Sequence, residues 1–138
     1  MADVTVKRTE EFEATFGGGM LKARSGLGVS SFGMQILRFP PNEDRHPEHD
    51  HAEGGQEEVY TVLEGAAMLR VGGEEHRLEP GVFARVGPNE PRKLVTGDEG
   101  ALLLALGGVP GEPFEPTKFT DEGEPDPLGS ARGGDGGG

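Results

Sequence analysis

Cysteine is absent from the 138 residues, which removes disulfides, thiolate metal ligands and cysteine nucleophiles together. Tryptophan is absent as well, tyrosine occurs once, and apolar residues make up only 33% of the chain. No apolar run approaches the length of a transmembrane helix, and the opening residues MADVTVKRTEEFEATF carry no apolar signal core. The expectation is a cytoplasmic protein. Positive charge is scarce: 13 Lys and Arg face 25 Asp and Glu, for a net charge of −12. That balance disfavours nucleic acid and anionic membrane as partners, because both recruit basic patches.

Glycine and proline, by contrast, are plentiful at 25 and 11 residues, which favours short strands joined by turns over a helical bundle. The length suits one domain with a real core. Residues 1–19 read as an N-terminal clip. In it, TEEFEATF suggests a short helical turn capped by Thr9, with Phe12 and Phe16 on one stripe, ended by Gly17-Gly18-Gly19. Residues 20–119 read as a β domain. The segments MLKARSG, VSSFGMQILRF, EVYTVLEG, AAMLRV, EEHRLEP, VFARV, RKLVT and ALLLALGGV each look like strands bounded by turn chemistry. Gly72-Gly73 marks a hairpin, and Pro80-Gly81 a further turn. ALLLALGGV lacks strict alternation and reads as a strand buried on both faces. GEPFEPTKFT is expected to lie extended against the outside through Phe114 and Phe119. Residues 120–138, acidic and Gly-rich, have almost nothing to bury and are expected to form a disordered tail.

The chemistry concentrates in residues 46–65, HPEHDHAEGGQEEVYTVLEG. His49 and His51 are two apart and share a face in an extended chain; Glu58, Tyr60 and Val62 share one if their segment is a strand. Two imidazoles and a carboxylate on a common face suit a borderline divalent metal, such as iron, manganese, nickel or zinc. The plainer alternative is a solvated polar loop before a strand. His46, three residues before His49 and followed by Pro47, is expected at the surface. His76 reads as an exposed hairpin residue. Tyr60 is either a ligand-facing hydroxyl or a core-lining aromatic. Arg38, Arg70 and Arg85 are expected to be surface ion-pair partners. Neither a phosphate loop nor a serine-nucleophile pattern is present.

Over roughly residues 30 to 107 the chain resembles the cupins. The string His49-x-His51, then Glu58 with six residues before Gly65, then the Gly-Gly hairpin and the Pro80-Gly81 turn carry the likeness. The resemblance implies an all-β double-stranded β-helix, or jelly-roll barrel, whose first motif offers His49, His51 and Glu58 to a metal and whose second adds a further His. This chain departs twice. Six residues separate His51 from Glu58, a longer gap than the family usually has, and Arg92 stands where the last His would be. Arginine stays protonated and cannot ligate a metal.

Two outcomes follow. In one, His49, His51 and Glu58 hold a divalent metal, and Arg92 with Tyr60 binds an anionic small molecule at the open side, as in an oxygenase or isomerase. In the other no metal is held, Arg92 pairs with Glu58, and the barrel is a small-molecule-binding or structural module without catalysis. A storage- or stress-related role is a third. The resemblance also implies a homodimer built through sheet edges.

Overall fold

A computed structural model of the chain describes residues 2–128. The strands among the described residues are β1 (Ala14–Thr15), β2 (Met20–Leu21), β3 (Gly33–Phe39), β4 (Glu57–Gly65), β5 (Ala67–Val71), β6 (Glu74–Leu78), β7 (Phe83–Val86), β8 (Arg92–Val95) and β9 (Ala101–Gly108). They form a six-stranded sheet in the order β1-β2-β3-β9-β4-β7 and a three-stranded sheet in the order β6-β5-β8. Every pairing is antiparallel. The architecture is the expected all-β jelly roll.

The core lies between the sheets. Leu37, Tyr60, Val62, Val86 and Leu103 from the larger sheet meet Leu69, Leu78 and Leu94 from the smaller, as inner faces of a sandwich must. A second cluster covers the outside of the larger sheet, where Phe12, Leu21, Ala23 and Ile36 pack with Met34, Leu102 and Leu104. β9 therefore sends Leu103 inward and its two neighbours outward into apolar surroundings. This explains a run of leucines with no polar alternation. Two glycine sites were legible for steric reasons. Gly72 and Gly73 have φ of 60° and 79°, as a tight two-residue hairpin requires. At Gly65, φ is 77° and a Cβ would sit 2.2 Å from the Gly100 carbonyl oxygen, so no larger residue fits there.

Three expectations need correcting. MLKARSG is a strand only over Met20–Leu21; Ala23–Leu27 forms the short helix α1. The cause is tertiary. Lys22 Nζ bonds Glu13 Oε2 at 2.5 Å and the carbonyls of Asp121 and Glu124 at 3.0 and 2.9 Å. Arg24 pairs with the Asp121 carboxylate and donates to the Val29 carbonyl at 3.1 Å. Asp121 and Glu124, some hundred positions away, leave no local signal.

The tail is the second. Residues 121–128 pack back on the clip and on α1 with the lysine before it. Gly17 N–H donates to Asp126 Oδ2 at 2.8 Å and Glu122 N–H to Ser25 Oγ at 3.1 Å. The rest of the expected tail, residues 129–138, lies outside the described residues. Third, the N-terminal turn is a 3-10 turn over Thr9–Glu11, capped by Glu11 Oε1 accepting from Arg8 N–H at 2.8 Å and not by Thr9. Phe12 and Phe16 do not form one stripe: Phe12 packs on Gly26 of α1, while Phe16 meets Phe119 edge-on at 5.2 Å. Phe114 lies over Gly33. No helix among the described residues is long and apolar enough to cross a membrane.

Candidate metal centre

The residues around His49 are laid across the start of β8. His49 N–H donates to the Arg92 carbonyl at 3.0 Å, Arg92 N–H returns to the His49 carbonyl at 2.8 Å, and His51 N–H donates to the Pro88 carbonyl at 2.9 Å. An extended backbone there puts both imidazoles on one side, toward β4. The long gap before Glu58 is absorbed locally. Gly55, at φ 77°, donates its N–H to the His51 carbonyl at 2.7 Å and closes a turn over 52–55. The chain then enters β4 with Glu58 opposite Val86 on one side and Gly107 on the other. The neighbouring Glu57 points away and pairs with Arg85 at 2.8 Å.

One donor atom each from His49, His51 and Glu58 falls within a set no wider than 4.8 Å. His49 Nε2 is 3.9 Å and His51 Nε2 3.2 Å from Glu58 Oε1. His49 Nδ1 sits 3.2 Å from the Pro47 carbonyl. A carbonyl only accepts, so Nδ1 carries the proton and the neutral ring presents a bare Nε2 to the carboxylate. His51 Nε2 is buried and has no hydrogen-bond partner. The two Nε2 atoms and the Glu58 carboxylate therefore converge on one small volume, where either a proton or a cation can hold them together. The residues fit a divalent metal with mixed imidazole and carboxylate ligands. The Glu58 carboxylate beside His49 raises the pKa of that imidazole, against burial, so a cation would compete there with a proton.

Arg92 and Tyr60 take the second of the positions expected of each, paired with Glu58 and lining the core. The Arg92 side chain is 0% exposed. Its Nη1 donates to Glu58 Oε1 at 2.5 Å, its Nε to the Glu90 carbonyl at 2.9 Å, and its Nη2 to the Gly87 carbonyl at 2.7 Å. A guanidinium so committed has no face left for a substrate. Tyr60 is buried in the core and gives its hydroxyl proton to the same Glu58 oxygen at 2.5 Å. Both residues touch Glu58 instead of an open pocket. Burial works to raise the Glu58 pKa, but the hydrogen bonds and positive charge around the carboxylate hold it down to about 2. Burial and the Glu58 charge push the Tyr60 phenol up, so it stays a donor.

Two neighbours carried no obvious signal. Gln56 Nε2 reaches Glu58 Oε2 at 3.5 Å and lies over Gly107, where a Cβ would come within 2.6 Å of it. The i−2 position relative to Glu58 was the available hint. His46, expected at the surface, is half-buried, its ring 5.5 Å from Phe39 and 5.4 Å from His49. Burial pushes its pKa down to about 4. His76 is exposed and bonded to Glu74 at 3.0 Å, as expected of a hairpin residue. Arg70 pairs with Glu75 at the surface, while Arg38 has no carboxylate partner among the described residues. Two surface concavities of about 410 and 470 Å³ contain none of the three donors; Arg92 and Tyr60 close the inner side of Glu58, while the His49 and His51 side chains are 32% and 29% exposed on the outer side.

A family model described as a cupin domain matches residues 35–107. Among solved structures, the chain is similar to a cupin protein from Bacteroides fragilis at 19% identity, covering 86% of this chain and 94% of that one, with a TM-score of 0.65. It is similar to a sugar phosphate isomerase from a cupin superfamily in Silicibacter pomeroyi at 24% identity, covering 75% and 74%, with a TM-score of 0.62. A DMSP lyase from Ruegeria pomeroyi is 26% identical over 70% of this chain and 47% of that one, with a TM-score of 0.52. No curated protein matches the sequence.

Proposed function

This chain belongs to the cupins, and from that starting point we propose that it takes a divalent cation on His49, His51 and Glu58 and binds an anionic small molecule beside it. The supporting observation is the buried, unpartnered His51 Nε2, 3.2 Å from the Glu58 carboxylate and in one cluster with the bare Nε2 of His49. An unsatisfied buried nitrogen costs about 1–3 kcal/mol, a cost that a bound cation removes. Arg92 already offsets the charge of Glu58. A divalent cation would therefore bring excess positive charge to a half-buried site, and an anionic ligand would balance it.

In this assignment His49 and His51 are ligands, Glu58 is a ligand through its carboxylate, and Arg92 and Tyr60 are positioning residues that fix that carboxylate. The cation, when bound, supplies Lewis acidity toward a small-molecule oxygen. An oxygenase or isomerase activity is the extension of this assignment; the neighbours show that the same fold is found in proteins named as an isomerase and a lyase. Two copies are proposed to pair along a sheet edge, because β7 ends the larger sheet with Phe83 72% exposed.

The test is elemental mass spectrometry on untagged protein, wild type beside His49→Ala/His51→Ala. The expected result is close to one metal per chain, lost in the double variant. No metal after incubation with iron, manganese, nickel and zinc would overturn the assignment. The Arg92–Glu58 contact at 2.5 Å favours a second reading in that event, a metal-free barrel that binds without reacting.

A further inference from the structure

His46 stands next in line to the three donors. Its ring centroid is 5.4 Å from that of His49, edge to face at 66°. His49 is in turn 5.1 Å from His51 at 89°. Two imidazoles sharing one cation at roughly 2.0–2.1 Å per nitrogen have centroids about 4.5–5.2 Å apart for square to tetrahedral angles. Both spacings match that separation to within a few tenths of an ångström. The His46 Nδ1 is also buried without a partner. Four such side-chain atoms occur among the described residues, and the other two, on Thr15 and Arg24, belong to the N-terminal clip and α1. The two near the candidate centre are thus both imidazole nitrogens.

We infer that His46 is a fourth protein ligand, recruited from the loop ahead of the first motif because Arg92 fills the place of the second-motif histidine. The inference rests on the cation proposed above. Its nitrogens do not join the 4.8 Å set in this structure. Reorienting the ring would use a torsion that is broad and roughly two-fold. Phe39 backs the ring at 5.5 Å, and Pro47 on the adjoining position holds the His49 tautomer through its carbonyl. One short segment thereby orients one ligand and supplies another. With three imidazoles and a carboxylate, an octahedral cation would keep two positions for exogenous ligands.

The experiment uses the full chain loaded with copper(II), whose electron paramagnetic spectra count coordinated nitrogens, and a chelator competition for zinc. His46→Phe keeps a flat ring against Phe39 and His49, and His46→Gln is a second, polar replacement. The expected outcome is three nitrogens in wild type and two in both variants, with zinc affinity weakened about 10–100-fold. A residue acting by packing alone would leave the nitrogen count unchanged between wild type and His46→Phe. Two nitrogens in wild type, or wild-type zinc affinity in His46→Phe, would overturn the assignment of His46 and leave the three-donor site standing. A wild-type chain that takes up neither metal would overturn both.

Discussion

Glu58 is the residue on which the interior of this barrel turns. One of its oxygens accepts from Arg92 and Tyr60 at 2.5 Å each and faces His51 at 3.2 Å, while its side chain is only 13% exposed. Removing one partner of a buried pair strands the other charge, at a cost of about 3–5 kcal/mol. In chelator-treated protein, Arg92→Met should lower the urea-unfolding free energy by about that amount. Arg92→Met/Glu58→Met should recover much of the loss, since neither charge is then left alone. Additive losses in the single and double variants would show that the two side chains do not depend on each other. Much of this site was legible. The His-x-His spacing, the choice of Glu58 over Glu57, and the misfit of Arg92 could all be read from residue type and position, and the Arg92–Glu58 pair was one of two stated outcomes. The burial of His46 was not legible, because it depends on Phe39, a strand residue brought against it only by the fold.

Strands were easier to read than the segments that cover them. β3 to β9 follow turn chemistry that is local, so Gly72-Gly73, Pro80-Gly81 and Gly65 announce their ends. α1 and the segment 121–128 form through distant partners, Lys22 with the carbonyls of Asp121 and Glu124 and Arg24 with the Asp121 carboxylate. Neither has a local pattern to find. Edges are a separate matter, because an unpaired strand is a pairing surface. β7 is such an edge, carrying Phe83 at 72% exposure beside the partly exposed Val82. If two copies pair along it, Phe83→Glu should shift the protein toward monomer in sedimentation experiments and leave its thermal unfolding as a monomer nearly unchanged. Salt should strengthen the wild-type association by screening two chains of like charge. A wild type that is monomeric at every salt concentration, or a Phe83→Glu variant that still dimerises, would remove β7 as the contact.

A net charge of −12 sets two effects against each other as the protein is acidified. Protonating carboxylates relieves self-repulsion, which favours the folded state. Specific pairs act in the opposite direction. Glu58 and Glu43 have folded-state pKa values lowered from 4.5 to about 2. For Glu43 the Arg45 guanidinium and backbone N–H groups do this; for Glu58, its hydrogen bonds and neighbouring positive charge outweigh its burial. A depressed carboxyl pKa gives stability that is present above the unfolded value and is lost as pH falls through the folded one. His46, lowered from 6.5 to about 4, is held neutral in the fold, so its effect fades as pH drops across that interval. His49, with a raised pKa, runs the other way: its contribution is present below 6.5 and fades as pH rises through its folded value. Repulsion among dispersed surface charges is screened by salt, whereas pairs inside the barrel are screened far less. In chelator-treated protein at about physiological ionic strength, the melting temperature should therefore fall from pH 6.5 to pH 3, and fall more steeply below about 4.5 where the carboxylates protonate. Glu58→Gln should flatten the lower part of that curve and His46→Phe the upper part. A melting temperature that climbs steadily on acidification would mean that self-repulsion dominates, and that the buried ion pair at Glu58 contributes little to holding the barrel together.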